Sequence, residues 1–143
     1  MTINVSERET MLDEKAVAVM TECSAGSIEG KLRFPQVLEK LAAIGVESYH
    51  ADLYRKEKTY YLPDGESHAE ELAFGSYEVA STFDVNGVRR ALLRVQQQQS
   101  SYIEFIAEIS AAGVAHYWVY LEGKRAIYTS RRGEEWVEWF PLH

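Results

Sequence analysis

The segment "LAAIGVESYH" at residues 41–50 returns as "ISAAGVAHYW" at residues 109–118, and the ungapped shift of 68 holds well beyond these ten positions. It sets Gly45 on Gly113, Val46 on Val114, Tyr49 on Tyr117, Leu53 on Leu121, Lys56 on Lys124, Tyr60 on Tyr128, Gly65 on Gly133 and Glu66 on Glu134. The matches fall at a helix stop, on one face of a strand and at a hairpin exit. Geometry restricts residue choice at those places, so a duplicated helix-hairpin unit explains them better than chance does.

Each copy can be read locally. Pro35 suits the first turn of a helix, where its missing N–H costs nothing, and Val37, Leu38, Leu41, Ala42 and Ile44 supply an apolar stripe that Gly45 ends as a left-handed cap. From Val46 to Tyr54 the period changes to two, which predicts a half-buried strand. "RKE" turns it, "KTYYL" returns, and "PDGE" closes the hairpin. In the second copy Ser101 and Glu104 form a capping box, Phe105, Ile106 and Ile109 face inward, and Gly113 stops the helix. "VAHYWVYLEGKRAIYTSRRGEE" then alternates like the first hairpin, and "WVEWF" reads as a final strand or an aromatic tail.

A further helix precedes each copy. One follows Ser6, with Glu9 at capping-box spacing and Leu12, Ala16, Val19, Met20 and Cys23 on one stripe; "SAGSIEGKLR" from Ser24 then reads as a loop. The other is capped by Asp84, carries Val85, Val88, Ala91, Leu92 and Val95, and ends near the four glutamines 96–99. The expectation is a single α+β domain over 1–143. Its repeat-like halves run from about 6 to 66 and 84 to 134, joined by a connector at 67–83 with a short extended piece at "SYEVASTF". Two hairpins side by side make an antiparallel sheet with helices packed on one face.

Composition excludes several classes. With 143 residues the chain can bury a core without staples, and its single cysteine, Cys23, cannot form an internal disulfide. The N-terminus lacks the pattern of a signal peptide, and no apolar run reaches the ~20 residues of a membrane span, so the expectation is a cytoplasmic protein without a membrane partner. A net charge of -7 repels phosphate backbones and argues against nucleic acid, apart from a local patch built from Arg89, Arg90, Arg94, Arg131 and Arg132.

With "FPQVLEKLAAIGVESYHADLYRKEKTYYLPDGE", "GVAHYWVYLEGKRAIYTSRRGEE" and the closing "GEEWVEWFP" in view, the chain resembles the YdfO/YbcV-like family of prophage-associated bacterial proteins. That family is catalogued as domain of unknown function 1398 and often labelled "phage envelope protein". The resemblance runs from about Met11 to Pro141. It implies an α+β fold and no established activity.

The parity of the strands decides where function is sought. Tyr49, Leu53, Tyr117 and Leu121 share one parity and should face the helices. The other parity carries His50, Asp52 and Tyr54 in the first copy and His116, Trp118 and Tyr120 in the second. Aromatic rings supply stacking area and a titratable group fixes orientation, so these six are the candidate binding residues for an unidentified small molecule or protein, on this face or in a groove between the repeats. The competing reading is a face closed by a terminal helix, the Trp136/Trp139 tail or a second subunit, and so large an apolar patch favours a homodimer.

His50, Asp52 and His116 also invite an acid–base or metal reading. The sequence shows only an i, i+2 pair and one more histidine, with His68 in the connector and His143 at the end, short of a catalytic constellation or a full ligand set. Glu66 and Glu134 are a weaker pair at matched turns, and Cys23 reads as a buried thiol. No P-loop, dinucleotide fingerprint or nucleophile elbow is present, so no catalytic residue, metal or cofactor is assigned. The leading expectation is a non-enzymatic binding or regulatory domain of prophage type. The alternatives are a small enzyme centred on His50, Asp52 and His116, and a phage structural or assembly protein.

Overall fold

The computed structural model describes residues 13–72 and 77–140. The elements follow in the order α1 (Glu14–Ile28), α2 (Phe34–Ala43), β1 (Ser48–Asp52), β2 (Glu57–Tyr61) and β3 (Ser67–Glu71). The second set is α3 (Val85–Gln96), α4 (Tyr102–Ala111), β4 (Val114–Tyr120), β5 (Arg125–Ser130) and β6 (Glu135–Trp139). Each half is thus two helices and a three-stranded meander. The six strands form one antiparallel sheet in the order β3-β2-β1-β4-β5-β6.

The duplication is written into the backbone. Gly45 and Gly113 both take positive φ, at 84° and 92°, and so do Gly65 and Gly133, at 89° and 87°. Lys56 and Lys124 repeat the left-handed conformation at the two hairpin turns, at 55° and 51°, where most side chains are disfavoured. Loop hydrogen bonds match as well: Leu62 N–H donates to Glu66 O as Ser130 N–H does to Glu134 O, and Leu72 N–H donates to Lys56 O as Phe140 N–H does to Lys124 O.

The central register fixes how the halves are related. On β1 and β4, His50 lies opposite Trp118, Ser48 opposite Tyr120 and Asp52 opposite His116. Since Trp118 is the residue matched to His50 under the shift of 68, a pseudo-two-fold axis perpendicular to the sheet passes between these two positions. No groove separates the repeats on the sheet, because β1 and β4 are joined by their backbones.

The core lies between the helices and one sheet face. Met20 and Cys23 of α1, Val37 and Leu41 of α2, Val88 and Leu92 of α3, and Phe105, Ile106 and Ile109 of α4 pack over Tyr49, Tyr60, Tyr117 and Tyr128. Those four tyrosines form a chain across the axis, with ring centroids 5.5 Å apart for Tyr60–Tyr49, 6.5 Å for Tyr49–Tyr117 and 5.6 Å for Tyr117–Tyr128. Buried hydroxyls need partners, and Tyr60 finds Ser24 at 2.7 Å while Tyr117 finds Tyr102 at 2.6 Å.

Three expectations are corrected. The loop from Ser24 is helical to Ile28, because Ser24 bonds Tyr60 and Ser27 returns its hydroxyl to Cys23 O at 2.8 Å, turning polar residues into buried ones. Gly26 lets Leu32 pack close there, since a Cβ would sit 2.6 Å from Leu32 Cδ1 and displace that side chain. The stretch read as a connector contributes β3; with "WVEWF" settling as the final strand, one of its two expected forms, the two side-by-side hairpins become a six-stranded sheet. Ala42 is exposed, while Val37 and Leu41 carry the buried stripe of α2. The caps at Asp84 and Ser101 stand as expected: Gly87 N–H donates to Asp84 Oδ1 and Glu104 N–H to Ser101 Oγ. The cap expected at Ser6 and Glu9, with Leu12, lies outside the described residues; Asp13 caps α1 by accepting from Lys15 N–H.

Candidate functional site

The face turned away from the helices is a grid of three rows across six strands. The middle row runs Ala69, Thr59, His50, Trp118, Ile127, Val137. On one side of it lie Ser67, Tyr61, Ser48, Tyr120, Arg125 and Trp139. On the other lie Glu71, Glu57, Asp52, His116, Thr129 and Glu135. All six candidate residues from the sequence sit on this face or at its rim: His50, Asp52, His116, Trp118 and Tyr120 are half-buried, and Tyr54 is exposed in the β1–β2 turn.

The rings form one connected layer. Trp118 touches His50 at a centroid distance of 4.6 Å, Tyr61 at 5.7 Å and Tyr120 at 5.8 Å, and His116 meets His50 at 5.2 Å and Tyr54 at 6.1 Å. The Arg125 guanidinium closes the corner, 5.9 Å from the Tyr120 ring and 5.1 Å from Trp139. Such contacts hold the rings in place and so present them at low entropic cost to a partner.

His50 Nε2 lies 3.2 Å from His116 Nδ1, a bond that needs one proton between the two nitrogens. Burial and the neighbouring His116 lower the His50 pKa, with Asp52 acting weakly the other way. Asp52 itself is committed elsewhere, because its Oδ1 accepts from the amides of Tyr54 and Arg55, both at 3.0 Å. The structure therefore brings the two imidazoles together and turns the carboxylate to the backbone. Among the described residues no cluster of three or more His, Cys, Asp or Glu side chains can hold a metal ion.

The remaining candidates disperse. Glu66 and Glu134 sit at the exits of β2 and β5, with β1 and β4 between those strands, and Glu134 accepts from Ser130 Oγ at 3.0 Å. His68 faces the helical side and bonds Glu70 at 2.8 Å; His143 lies outside the described residues. Cys23 is fully buried, and burial with Glu22 nearby raises its pKa. Of the five arginines proposed for a basic patch, Arg94 pairs with Glu108 and Arg90 with Asp84. Two clefts, of about 420 and 330 Å³, lie beside α3; they are lined by residues such as Arg89, Leu93 and Trp136 and include none of the six candidates. No described helix is long and apolar enough to cross a membrane.

Tyr61, Arg125 and Trp139 belong to the face but were missed, although carrying the same parity rule onto the returning strands would have found them. Arg125 Nε is buried without a hydrogen-bond partner among the described residues. Lys58 is the other omission. It points into the core at 2% exposure, its Nζ 4.9 Å from the Tyr102 ring and 5.3 Å from the Tyr49 ring, and burial lowers its pKa to about 8 against the opposing pull of Cys23 and Glu70.

Compared with known protein families, residues 33–137 match the family described as "Protein of unknown function (DUF1398)", a span that includes both hairpins. No curated protein matches the chain.

Proposed function

Since the chain belongs to this family of proteins of unknown function, we propose, from the chemistry of its open sheet face, that it is a non-enzymatic binding module that holds a protein partner. The observation that carries this is the connected ring layer of Tyr61, Trp118, His50, His116 and Tyr120, continued by Arg125 and Trp139, on a face opposite the helical core. Tyrosine, tryptophan and arginine are the side chains that anchor protein interfaces. A broad sheet surface suits a protein better than a small molecule, which is held best in a concave site. This is the binding or regulatory role expected from the duplicated architecture and the absence of catalytic motifs, in the cytoplasm as composition suggests and in the prophage setting of the family that the sequence resembles.

An enzyme built on His50, Asp52 and His116 has less support, because the Asp52 carboxylate faces turn amides and orients neither imidazole. An assembly role in a phage particle would use the same surface. The test is retention of partners on the immobilised chain, comparing the unaltered protein with the Tyr61→Ala/Trp118→Ala double variant and with Phe34→Ala on the helical side. Loss of a retained protein with the first variant and retention with the second is the expected result. Equal retention by all three would place the binding surface elsewhere.

A further inference from the structure

The face that the described residues leave open is not uniform, and its asymmetry follows the pseudo-two-fold axis. The corner formed by Asp52, Glu57 and Glu71 carries three carboxylates on neighbouring strands, each directly opposite the next. The axis carries this corner onto Tyr120, Arg125 and Trp139, the positions 68 residues on. Aligned carboxylates repel one another, and among the described residues the only cation paired with them is Arg55, 3.6 Å from Glu57 and largely exposed. The opposite corner holds a guanidinium between two rings, with a buried Nε unsatisfied among the described residues and no carboxylate paired to it there.

We propose that this face binds a second copy of the chain, with Arg125 of each copy set against Glu57 of the other. The proposal rests on the binding role argued above and names the partner.

The geometry permits it with a single symmetry operation. Arg125 and Glu57 lie on opposite sides of the axis, each about 7 Å across the strands and about 7 Å along them. A two-fold axis lying between the two sheets, along the diagonal from Tyr61 to Thr129, exchanges these two corners. Both Arg125–Glu57 contacts then form at once, as an isologous interface requires. The strands of the two sheets cross close to a right angle, one of the two ways sheets pack face to face. The same operation lays each Trp118 over the other copy's His50–His116 pair, so the apolar centre is covered as the charges meet. The planar overlap is about 400 Å² per copy. That is small beside the ~800 Å² per partner of tight complexes and sets the expectation at a weak, concentration-dependent dimer.

Charge exchange tests this with the full chain. Sedimentation velocity from about 10 µM to 1 mM should show the unaltered protein moving from monomer to dimer. Glu57→Arg leaves arginine against arginine at both contacts, and Arg125→Glu leaves carboxylate against carboxylate. Each variant alone should dissociate roughly ten- to a hundredfold more readily. Mixed one to one, the two variants restore opposite charges at both contacts and should form a heterodimer. Circular dichroism of each variant checks that it is folded, neither side chain being part of the core.

A protein that stays monomeric to 1 mM overturns the proposal. So does a dimer indifferent to both single changes, or a mixture of folded variants that fails to associate. Should the unaltered chain stay monomeric while the Tyr61→Ala/Trp118→Ala variant still loses a retained protein, the second-copy inference falls and the binding role stands.

Discussion

The two halves share a backbone plan and differ in what each equivalent position has been given to do. Gly45 and Gly113 both end a helix with positive φ, yet a Cβ on Gly45 would meet nothing within 4 Å, while one on Gly113 would lie 2.3 Å from Thr82 O. Lys58 and Ala126 occupy matched core positions, one a buried ammonium and the other a methyl. Glu57 and Arg125 occupy matched positions on the face turned away from the helices, with opposite charge. Duplication here repeats the turns and the core parity, and leaves chemistry free to diverge wherever the neighbours differ.

The largest test of that contrast is at the glycines. Gly45→Ala should cost about 1–2 kcal/mol, the cost of a side chain in the left-handed region. Gly113→Ala adds a clash with main chain that cannot rotate away, and should cost about 3 kcal/mol or more, or prevent folding. Urea denaturation of the two variants compares them directly. Equal losses would show that the segment before α3 yields.

The buried lysine comes next. Its folded pKa, about 8, lies below the usual 10.5, so between these values the unfolded chain binds more protons and Lys58 makes stability rise with pH. Replacing it with an apolar residue of similar length, Lys58→Met, should stabilise the protein by about 1–3 kcal/mol near pH 7 and flatten that rise. The reciprocal Ala126→Lys should destabilise. Unfolding curves at pH 7, 8.5 and 10 read both effects, and a steep rise persisting in Lys58→Met would assign it to another group.

The smallest expected effect is at the axis. His50 has a lowered pKa, because burial and His116 disfavour its charged form. The unfolded chain therefore takes up a proton first as pH falls through about 6.5, and stability drops there until the folded-state pKa is passed. His50→Phe should shrink this drop while keeping a ring against Trp118. Melting temperatures at pH 7.5 and 5.5 measure it, and an unchanged difference would assign the effect to another group.

How far the sequence reaches is uneven, for physical reasons. Gly45 with Gly113, the parity of Tyr49 and Tyr117, and the cap at Ser101 could be read because each depends on neighbours within one turn or one strand. The expected face carries five of the six candidate residues, with Tyr54 in the turn at its rim, since alternation alone assigns a side within a strand. β3 was missed because "SHAEE" has no apolar alternation to reveal it; the helix packed above it supplies Thr21 as the partner of Glu70. The end of α1 was misread because serine and glycine look like a loop until Tyr60 gives Ser24 a bond. Lys58 appears solvent-facing in any composition-based reading, and only its register opposite Ala51 places it inside.

The pairing of His50 with Trp118 has a consequence for how such a sheet can vary. Were the halves two identical chains, the residue on the axis would face its own copy, and any substitution there would arrive on both sides together. Within one chain that constraint is lifted, so an imidazole can sit beside an indole at the centre of the sheet. Unlike neighbours on a symmetric frame become available only when both halves are encoded in series.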